Sequence, residues 1–235
     1  APRVWNDRAG EVGRTLCAED FDLDRIFGQE GVAILHVSGL LPTSDTLDVF
    51  VCHLPSRRGG AKQTEEYRQR ACRLLRTAVD SIAALRHLPL VLIMGDMNDE
   101  PQDASLRKEL RAGVFEQDEM KTGNISQCYE VSDCGDIRLT LYNLTAGVKG
   151  EGGIEGTYMY RGRWNRLDHI IVSGTLLGTT SPLQAAPSSA RVLALPMQLE
   201  EHGSRGFVWP RRTFQGPIYR GGVSDHLPLV LDFFY

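Results

Sequence analysis

The sequence predicts an α+β fold in a single domain that covers residues 1–235. Apolar runs of strand length recur from Val32 onward, and one long segment with helical periodicity lies among them. No internal repeat or linker divides the chain. With 42% hydrophobic and 24% charged residues, the composition excludes a disordered chain, a coiled coil and a collagen-like repeat. Residues 1–30 are polar and irregular, and they show no regular period.

The first predicted elements form a β-hairpin followed by a helix. Val32–Val37 and Leu47–His53 have strand character, and Gly39–Asp45 between them carries the Pro, Ser and Asp residues that favour turns. The helix begins after Thr64, which is a suitable N-cap residue. Apolar residues then recur at helical spacing as far as Leu85, which predicts a helix with one side packed on a sheet.

The next predicted strand, Pro89–Met94, is almost continuously apolar, which is typical of a strand buried on both faces. A polar turn follows it, and the elements beyond that turn are shorter. They are a short helix at Ala104–Leu110, strands at Arg138–Leu144 and Leu167–Ser173, loops at Gly147–Gly156 and residues 174–222, and a terminal strand at Asp225–Tyr235.

The chain is slightly acidic. A net charge of −4 and a pI of about 5.9 argue against sequence-independent DNA affinity as the main activity, because that affinity needs a basic surface. A local basic cluster near the C-terminus fits either a solvated loop surface or a wall that faces phosphate. Its members are Arg205, Arg211, Arg212 and Arg220. No apolar stretch approaches the roughly 20 residues of a membrane span.

The five cysteines do not define a redox compartment. No Cys-x-x-Cys motif occurs, which disfavours a zinc ribbon or a thioredoxin-type site. Cys128 and Cys134 are close enough in sequence to bridge a loop, but we predict free thiols. The chain begins with Ala, which is consistent with removal of an upstream segment, so the cellular compartment stays open.

Polar side chains stand at the ends of the predicted strands. Asp96 and Asn98 follow the apolar run, and in extended backbone they would point the same way. Asp168 opens one strand, and Asp225 and His226 open the terminal one. Each has an ordinary alternative, because Asp-x-Asn is a common turn former and a lone Asp often caps a loop. Taken singly, none of these residues identifies a catalytic site.

The motifs are more specific together than singly. Gly95-Asp-Met-Asn98, Arg166-Leu-Asp-His-Ile170 and Ser224-Asp-His226 follow His53 in an order that resembles the endonuclease/exonuclease/phosphatase family. The resemblance runs from about residue 32 to the C-terminus, and the sequence around His53 is similar to a bacterial branch of the family. It implies a two-sheet sandwich with helices outside, in four layers (α/β/β/α).

The resemblance also implies a role for each polar residue in the cleavage of a phosphate ester by water. Asp96 would orient or deprotonate the water, and Asn98 would donate a hydrogen bond to the phosphate. His226 would lie against the phosphate and stabilise the transition state, while Asp168 would hold the other ring nitrogen of His226. His53 would contact the phosphate or assist the leaving group.

A divalent metal ion is implied as well, with Asp225 as a ligand. Mg²⁺ is expected because one or two carboxylates suffice to hold it among waters, and Mn²⁺ or Ca²⁺ fit similar ligands. The family's upstream Asn and metal-binding Glu have no match, since Gln29-Glu30 follows no apolar strand. The principal metal carboxylate is therefore not identified. We expect a sandwich that is incomplete at its N-terminus, and a chain that by itself folds and catalyses poorly.

The implied function is metal-dependent hydrolysis of phosphate esters. The substrate stays open among a small molecule, a lipid headgroup and a nucleic acid, and the acidic balance weighs against a non-specific DNA nuclease. A second hypothesis is a degenerate or fragmentary family member that serves as a non-catalytic binding or structural module. The unmatched Glu motif favours the second hypothesis, and the retained downstream residues favour the first.

Overall fold

The structure is a computed structural model, and it describes residues 33–115, 128–131, 137–202 and 207–235. One long helix, α1, spans Glu65–Leu85. The strands are β1 Ala33–Leu40, β2 Thr46–His53, β3 Leu90–Asp96, β4 Ala112–Val114, β5 Tyr129–Val131, β6 Ile137–Leu139, β7 Leu141–Asn143, β8 Tyr158–Tyr160, β9 Arg163–Asn165, β10 Asp168–Ser173, β11 Gln184–Val192, β12 Leu199–His202, β13 Phe207–Pro210, β14 Phe214–Gln215, β15 Ile218–Tyr219 and β16 Leu229–Phe234. Short helical turns lie at Ser105–Leu110, Gly174–Leu177 and Pro196–Gln198.

The central element is a six-stranded mixed sheet with the strand order β1-β2-β3-β10-β7-β4. The predicted hairpin is present, since β1 and β2 pair antiparallel. β2 and β3 run parallel, because α1 carries the chain from the end of one strand back to the start of the next. β10 pairs antiparallel with both β3 and β7. The ends of β2 and β3 therefore meet the start of β10 at one edge of the sheet.

Helix α1 covers one face of this sheet. Its buried residues Leu75, Val79 and Ile82 pack in one cluster with Phe50 of β2 and Ile93 of β3. Two glutamates in its first turn stabilise the helix, because their negative charges lie at the positive end of the helix dipole. None of the helices in the described residues combines the length and the apolar character that a membrane crossing requires.

The start of α1 differs from the prediction in one respect. Thr64 occupies the N-cap position but makes no side-chain capping bond. Its hydroxyl donates instead to the Gly60 carbonyl at 3.0 Å and accepts from Arg68 Nη1 at 2.6 Å. The loop before the helix is therefore tied to its first turns by Arg68, which is almost completely buried.

A second sheet, formed by β11 and β16, covers the other face. Leu229, Leu231 and Phe233 of β16 pack against a buried cluster that contains Leu92 and Val172. The predicted two-sheet sandwich in an α+β fold is confirmed, with a helix, the six-stranded sheet and the smaller sheet as successive layers. Helix content is low, and the described residues contain no second long helix that would form the fourth layer.

The strands of the central sheet differ in how completely they are covered. β3 is covered on both faces, as its apolar run predicts, and Leu92 and Ile93 are both buried. In the β1–β2 hairpin, by contrast, Leu35, Val37 and Val51 are 39–43% exposed. These three lie opposite one another or on the same face in the register of the hairpin.

Three predicted elements have different bounds in the structure. The predicted strand Arg138–Leu144 is two strands, because residues before Thr140 pair with β5 and residues after it pair with β10. The predicted loop at 174–222 contains β11, which has little strand propensity and forms because it pairs with β16. The terminal strand begins at Leu229, so Asp225 and His226 precede it.

Among the described residues, Cys52, Cys72 and Cys128 are free thiols. Burial raises the pKa of Cys52 to about 12, so this thiol stays protonated and unreactive near neutral pH. Cys17 and Cys134 lie outside the described residues, as do residues 1–32, which include the segment 1–30 predicted to be irregular.

Ile93→Ala should lower the free energy of unfolding by about 2–5 kcal/mol, because it leaves a cavity between the sheet and α1. Leu92→Ala should have a similar effect on the other face. Urea unfolding measures both. The control is Leu85→Ala, since Leu85 at the end of α1 is 83% exposed and should tolerate truncation. Equal midpoints for Ile93→Ala and the control would contradict the buried-strand assignment.

Candidate active site

The predicted site residues meet where β2 and β3 end and β10 begins. In the register of the sheet, Asp96 pairs with His53 on one side and with Asp168 on the other. His226 comes from a different part of the chain, and a β-bridge to Tyr158 holds it beside Asp168. Five residues predicted from the sequence are thus brought to one edge of the sheet, namely His53, Asp96, Asn98, Asp168 and His226.

Gly95, the first residue of the Gly-Asp-x-Asn motif, allows β3 to approach β2 closely. Its φ is +129°, a conformation that L side chains rarely adopt. A Cβ atom at this position would lie 2.1 Å from the carbonyl oxygen of Cys52. Any larger residue would therefore push the end of β3, and with it Asp96, away from His53.

Asn98 fixes the carboxylate of Asp96. Its backbone N–H donates to Asp96 Oδ1 at 2.8 Å, and its side-chain Nδ2 donates to Asp96 Oδ2 at 3.2 Å and to the Leu54 carbonyl at 2.9 Å. The backbone at Asn98 is not extended, contrary to the premise of the sequence prediction, because its φ is +52°. Asn tolerates this left-handed conformation, and the turn brings its side chain back to Asp96.

His226 and Asp168 form a hydrogen-bonded pair. His226 Nδ1 lies 2.7 Å from Asp168 Oδ2, and Thr157 Oγ1 donates to the same oxygen at 2.5 Å. Because a carboxylate only accepts, Nδ1 carries the proton and Nε2 is left to face the site. Nε2 lies 3.9 Å from Asp96 Oδ2. Asp168 therefore sets both the orientation and the tautomer of His226.

The site is short of positive charge. Burial raises the pKa of Asp96, and the nearby charge of Asp168 raises it further; His226, His53 and the Asn98 N–H offset this only in part. Burial alone would lower the pKa of His226, but the hydrogen bond to Asp168 and the surrounding carboxylates raise it above its ordinary value. Two carboxylates thus share one imidazole whose pKa is raised, an arrangement that attracts a cation.

The outer side of the site is open to solvent. His53 Nε2 lies 3.9 Å from Asp96 Oδ2, and its side chain is 63% exposed. Asp225 is exposed, and its charge acts on the neighbouring His226. The one group of three ligand-type side chains found among the described residues is Asp96, Asp168 and His226, whose ligand atoms all lie within 4.8 Å of one another.

The metal assignment from the sequence stays a prediction. Asp225 is not part of that three-residue group. Gln29 and Glu30, the pair weighed as an upstream metal motif, lie outside the described residues. The two carboxylates of the group supply the hard oxygen ligands that Mg²⁺ prefers, whereas the imidazole nitrogen is a softer ligand that Mg²⁺ seldom takes.

Sequence reasoning missed Thr157, Tyr158 and Arg57. The ring of Tyr158 lies 4.7 Å from that of His226, and Arg57 Nε donates to the Asn98 carbonyl at 2.6 Å. Thr157 and Tyr158 directly follow the predicted glycine-rich loop. The signal that could have located them is the alternating Tyr158-Met-Tyr160 run before Arg161-Gly162, a pair suited to a hairpin turn.

A buried polar network supports the site from behind. His169 is fully buried and points away from Asp168, because successive strand residues face opposite sides. Its Nε2 donates to the Asp99 carbonyl at 2.9 Å, and its Nδ1 accepts from Asn143 Nδ2 at 3.0 Å. Burial lowers the pKa of His169, which keeps it neutral in this role. The turn after Asn98 is thereby anchored to β10.

Comparison with known structures gives distant matches of modest similarity. Truncated Caenorhabditis elegans TDP2 is 14% identical with a TM-score of 0.47, and the match covers 96% of this chain and 66% of that one. A Bacteroides thetaiotaomicron mannosyl-6-phosphatase is 14% identical with a TM-score of 0.47, covering 88% and 60%. The human Nocturnin catalytic domain is 18% identical with a TM-score of 0.44, covering 86% and 53%. The chain thus spans about two thirds or less of each of these proteins, and no curated protein matches its sequence.

The family model gives the decisive match. The model of the Endonuclease/Exonuclease/phosphatase family matches residues 28–234, which is nearly the whole chain. This confirms the resemblance carried by the Gly-Asp-x-Asn and Ser-Asp-His motifs. The protein therefore belongs to the Endonuclease/Exonuclease/phosphatase family, whose members are phosphoester hydrolases.

Proposed function

We propose that this protein hydrolyses phosphate esters with a divalent metal ion, at the edge of the sheet where β2, β3 and β10 meet. The observation that carries the proposal is the His226–Asp168 hydrogen bond of 2.7 Å, with His226 Nε2 facing the carboxylate of Asp96. A base, an oriented imidazole and an open outer side are the elements that attack of water on a phosphate requires.

Asp96 is the group that orients or deprotonates the attacking water. Two hydrogen bonds from Asn98 hold its carboxylate in a fixed orientation relative to the sheet. Its pKa is raised by burial and by the charge of Asp168, and a higher pKa makes a carboxylate a stronger base.

His226 and His53 define where the phosphate lies. The Nε2 atoms of both rings lie 3.9 Å from the same oxygen of Asp96. A phosphoryl group placed between these rings would be within reach of both. His226, protonated and braced by Asp168, would stabilise the negative charge that develops on the phosphoryl oxygens. His53 is exposed and less constrained, which suits contact with the phosphate or the leaving group.

We assign Asn98 a positioning role. Its two amide hydrogens point to the Leu54 carbonyl and to Asp96, so neither is free for the phosphate unless a bond is given up. The hydrogen bond from Arg57 to the Asn98 carbonyl holds the same turn from outside. Asn98 therefore keeps Asp96 in place, which differs from the direct phosphate contact implied by the family resemblance.

The residues present fit a divalent cation through their carboxylates. Asp96 and Asp168 lie close together with a single imidazole between them, and Asp225 adds an exposed carboxylate beside that imidazole. Asp225 is the ligand predicted from the sequence, and Asp96 is a second candidate. When bound, such an ion would polarise the phosphoryl oxygens and reduce the repulsion between phosphate and carboxylates.

Removal of divalent metal should abolish turnover of bis(p-nitrophenyl) phosphate by residues 1–235, and Mg²⁺ should restore it. Asp225→Asn should lose most of that turnover, and excess Mg²⁺ should rescue it only in part. Asp232→Asn is the matched control, because Asp232 is an exposed carboxylate farther along the same terminal segment.

Two outcomes would count against the proposal. Turnover that is unchanged in a chelator would exclude the metal. An absence of turnover with Mg²⁺, Mn²⁺ and Ca²⁺ alike, in a chain shown to be folded by circular dichroism, would favour the non-catalytic binding module instead.

A further inference from the structure

Two β-hairpins form a rim beside His226. The first consists of β8 and β9, joined at Arg161-Gly162, and the second spans residues 211–223 and contains β14 and β15. The base of the second hairpin is closed by backbone hydrogen bonds from Val223 to Arg211 at 3.0 Å and from Gly222 to Arg212 at 3.1 Å. We call residues 157–167 and 211–223 together the hairpin rim.

Arg212 joins the two hairpins to each other and to the site. Its Nη2 donates to the Met159 carbonyl, and its guanidinium carbon lies 5.2 Å from the centroid of the Tyr158 ring. The same ring packs 4.7 Å from His226. The hairpin rim therefore contacts, through Tyr158, the imidazole that faces the proposed phosphate position.

Aromatic rings continue outward from His226 along the rim. The rings of Tyr158 and Tyr160 are nearly parallel, at 12°, with centroids 6.5 Å apart, and Tyr160 is 51% exposed. On the second hairpin, Phe214 and Tyr219 contact edge to face at 5.4 Å, and both are more than half exposed. Tyr160, Phe214 and Tyr219 are thus exposed at the surface instead of contributing to the core.

The rim is positively charged in a chain whose net charge is −4. Residues 157–167 and 211–223 contain no Asp or Glu. They contain six arginines, namely Arg161, Arg163, Arg166, Arg211, Arg212 and Arg220. Arginines and exposed aromatic rings are thus concentrated at the border of one site in an acidic protein. Such a surface suits a ligand that carries both negative charge and planar groups.

We propose that the hairpin rim binds single-stranded nucleic acid, with unstacked bases on Tyr160 and the Phe214–Tyr219 pair and with phosphates on the flanking arginines. This inference rests on the proposed function and specifies its substrate class. A single strand supplies the planar faces that the rings accept and the phosphates that the arginines neutralise. A duplex keeps its bases stacked inside, so it would use the arginines alone.

The alternative occupant is an anionic membrane surface, which exposed aromatic and basic residues also favour. The arrangement of the rings favours bases. Arg161 already lies over the Tyr160 ring, at 5.2 Å from its centroid, and Arg212 lies over Tyr158. A base that stacks on Tyr160 would take the place of Arg161 on that ring face and leave its cation beside the phosphates of the strand, whereas insertion into lipid would have to bury both cations.

The test is equilibrium binding of a fluorescently labelled 12-nucleotide single strand to residues 1–235, measured by anisotropy in a chelator so that no hydrolysis occurs. Tyr160→Ala should weaken binding about fivefold or more, and Tyr160→Phe should retain it, because the ring face is what stacks. Arg161→Gln and Arg220→Gln should each reduce the slope of log K against log salt by about 0.7.

Matched controls use residues outside the rim. Tyr235→Ala removes an 86% exposed tyrosine at the far end of the terminal strand, and Arg107→Gln removes an exposed arginine on a different element. Neither should change affinity or salt slope. Thermal melts identify any variant that fails to fold, and Tyr160 and Arg220 are exposed enough to be replaced safely.

Four outcomes separate the possibilities. Ring-dependent, salt-dependent binding of the single strand supports the inference whether or not the chain hydrolyses it. Affinity that is equal for Tyr160→Ala and Tyr235→Ala overturns it, even if phosphodiester turnover is intact. Tighter binding to a duplex than to the single strand also overturns it. Binding to phosphatidylserine vesicles but not to the single strand replaces it with a membrane-facing role.

Discussion

Asp168→Ala, His226→Ala and the double variant should each lose a similar share of phosphodiester turnover, about 100- to 10,000-fold. The reason is that Asp168 acts through His226, to which it is hydrogen-bonded at 2.7 Å. Without the carboxylate, the imidazole loses its orientation, its tautomer and much of its positive charge. Residues that act as a unit give non-additive losses, so the second substitution should cost little more.

Two further variants test whether the effect is local. Thr157→Val removes only the second donor to the same oxygen of Asp168, so its loss should be smaller than that of Asp168→Ala. Asp168→Asn keeps the shape of the side chain but replaces one carboxylate oxygen with an NH2 group. That group donates hydrogen bonds and cannot accept one from His226 Nδ1. Measurement of kcat and KM at saturating Mg²⁺, together with Tm, separates chemistry from folding. Fully multiplicative losses would show that Asp168 only terminates a loop.

The second large effect concerns stability and lies away from the active site. Asp48→Ala should lower the free energy of unfolding by about 3–5 kcal/mol, because it removes the partner of the half-buried Arg86 guanidinium and of the buried His36 ring. Asp48 is fully buried in β2, where it accepts from Arg86 Nε at 3.1 Å and from Ser38 at 2.5 Å, and lies 2.9 Å from His36 Nε2. Arg86 directly follows α1, so this cluster fixes the end of the helix on the sheet.

Urea unfolding measures that loss, and Asp232→Ala provides the control. Asp232 forms an exposed pair with Arg191 at 3.6 Å, and exposed pairs contribute at most about 1 kcal/mol. Similar unfolding energies for the two variants would mean that the Asp48 cluster is as weak as a surface pair.

The same cluster predicts how stability depends on pH. Burial by itself raises the pKa of Asp48, but hydrogen bonds from His36, Arg86 and Ser38 and the charge of Arg86 outweigh it and lower the pKa below its ordinary value of 3.8. A carboxylate whose pKa is lower in the folded state stabilises the fold above that ordinary value and loses this contribution as the pH falls through the folded-state pKa. Unfolding energies should therefore drop below about pH 4 in the wild type, and this drop should be shallower in Asp48→Asn.

Much of the site was predictable because its residues sit at strand ends. The apolar run before Asp96 identified β3, and the apolar residues after Asp168 identified β10. Both predictions depend on local patterns, since a strand buried on two faces must be apolar over several successive residues. The motif order then connected these strand ends to a known family, and the family match over residues 28–234 agrees with it.

Other features of the site left little trace in the sequence. Asn98 looked like a residue in extended backbone, but its φ is +52°, and contacts with Leu54 and Arg57 hold it in this left-handed conformation. Thr157 directly follows the predicted glycine-rich loop and had no predicted role, although its hydroxyl reaches Asp168. β11 carries small residues and a proline, so only its pairing with β16 makes it a strand. In each case the local sequence allows several conformations, and a contact with a residue distant in sequence selects one of them.

The buried central strand and the long helix could be predicted from local patterns, because burial of apolar side chains constrains each segment separately. The sandwich fold and the set of polar residues that belong together were implied by the resemblance of the motifs to the family, which the family model matches. The tertiary structure decided which atoms meet: that Asp96 lies between His53 and Asp168, that His226 presents Nε2 to it, and that arginines from two hairpins gather at one rim. Such contacts depend on strand register and on pairing between distant segments, and a one-dimensional pattern does not encode either of them.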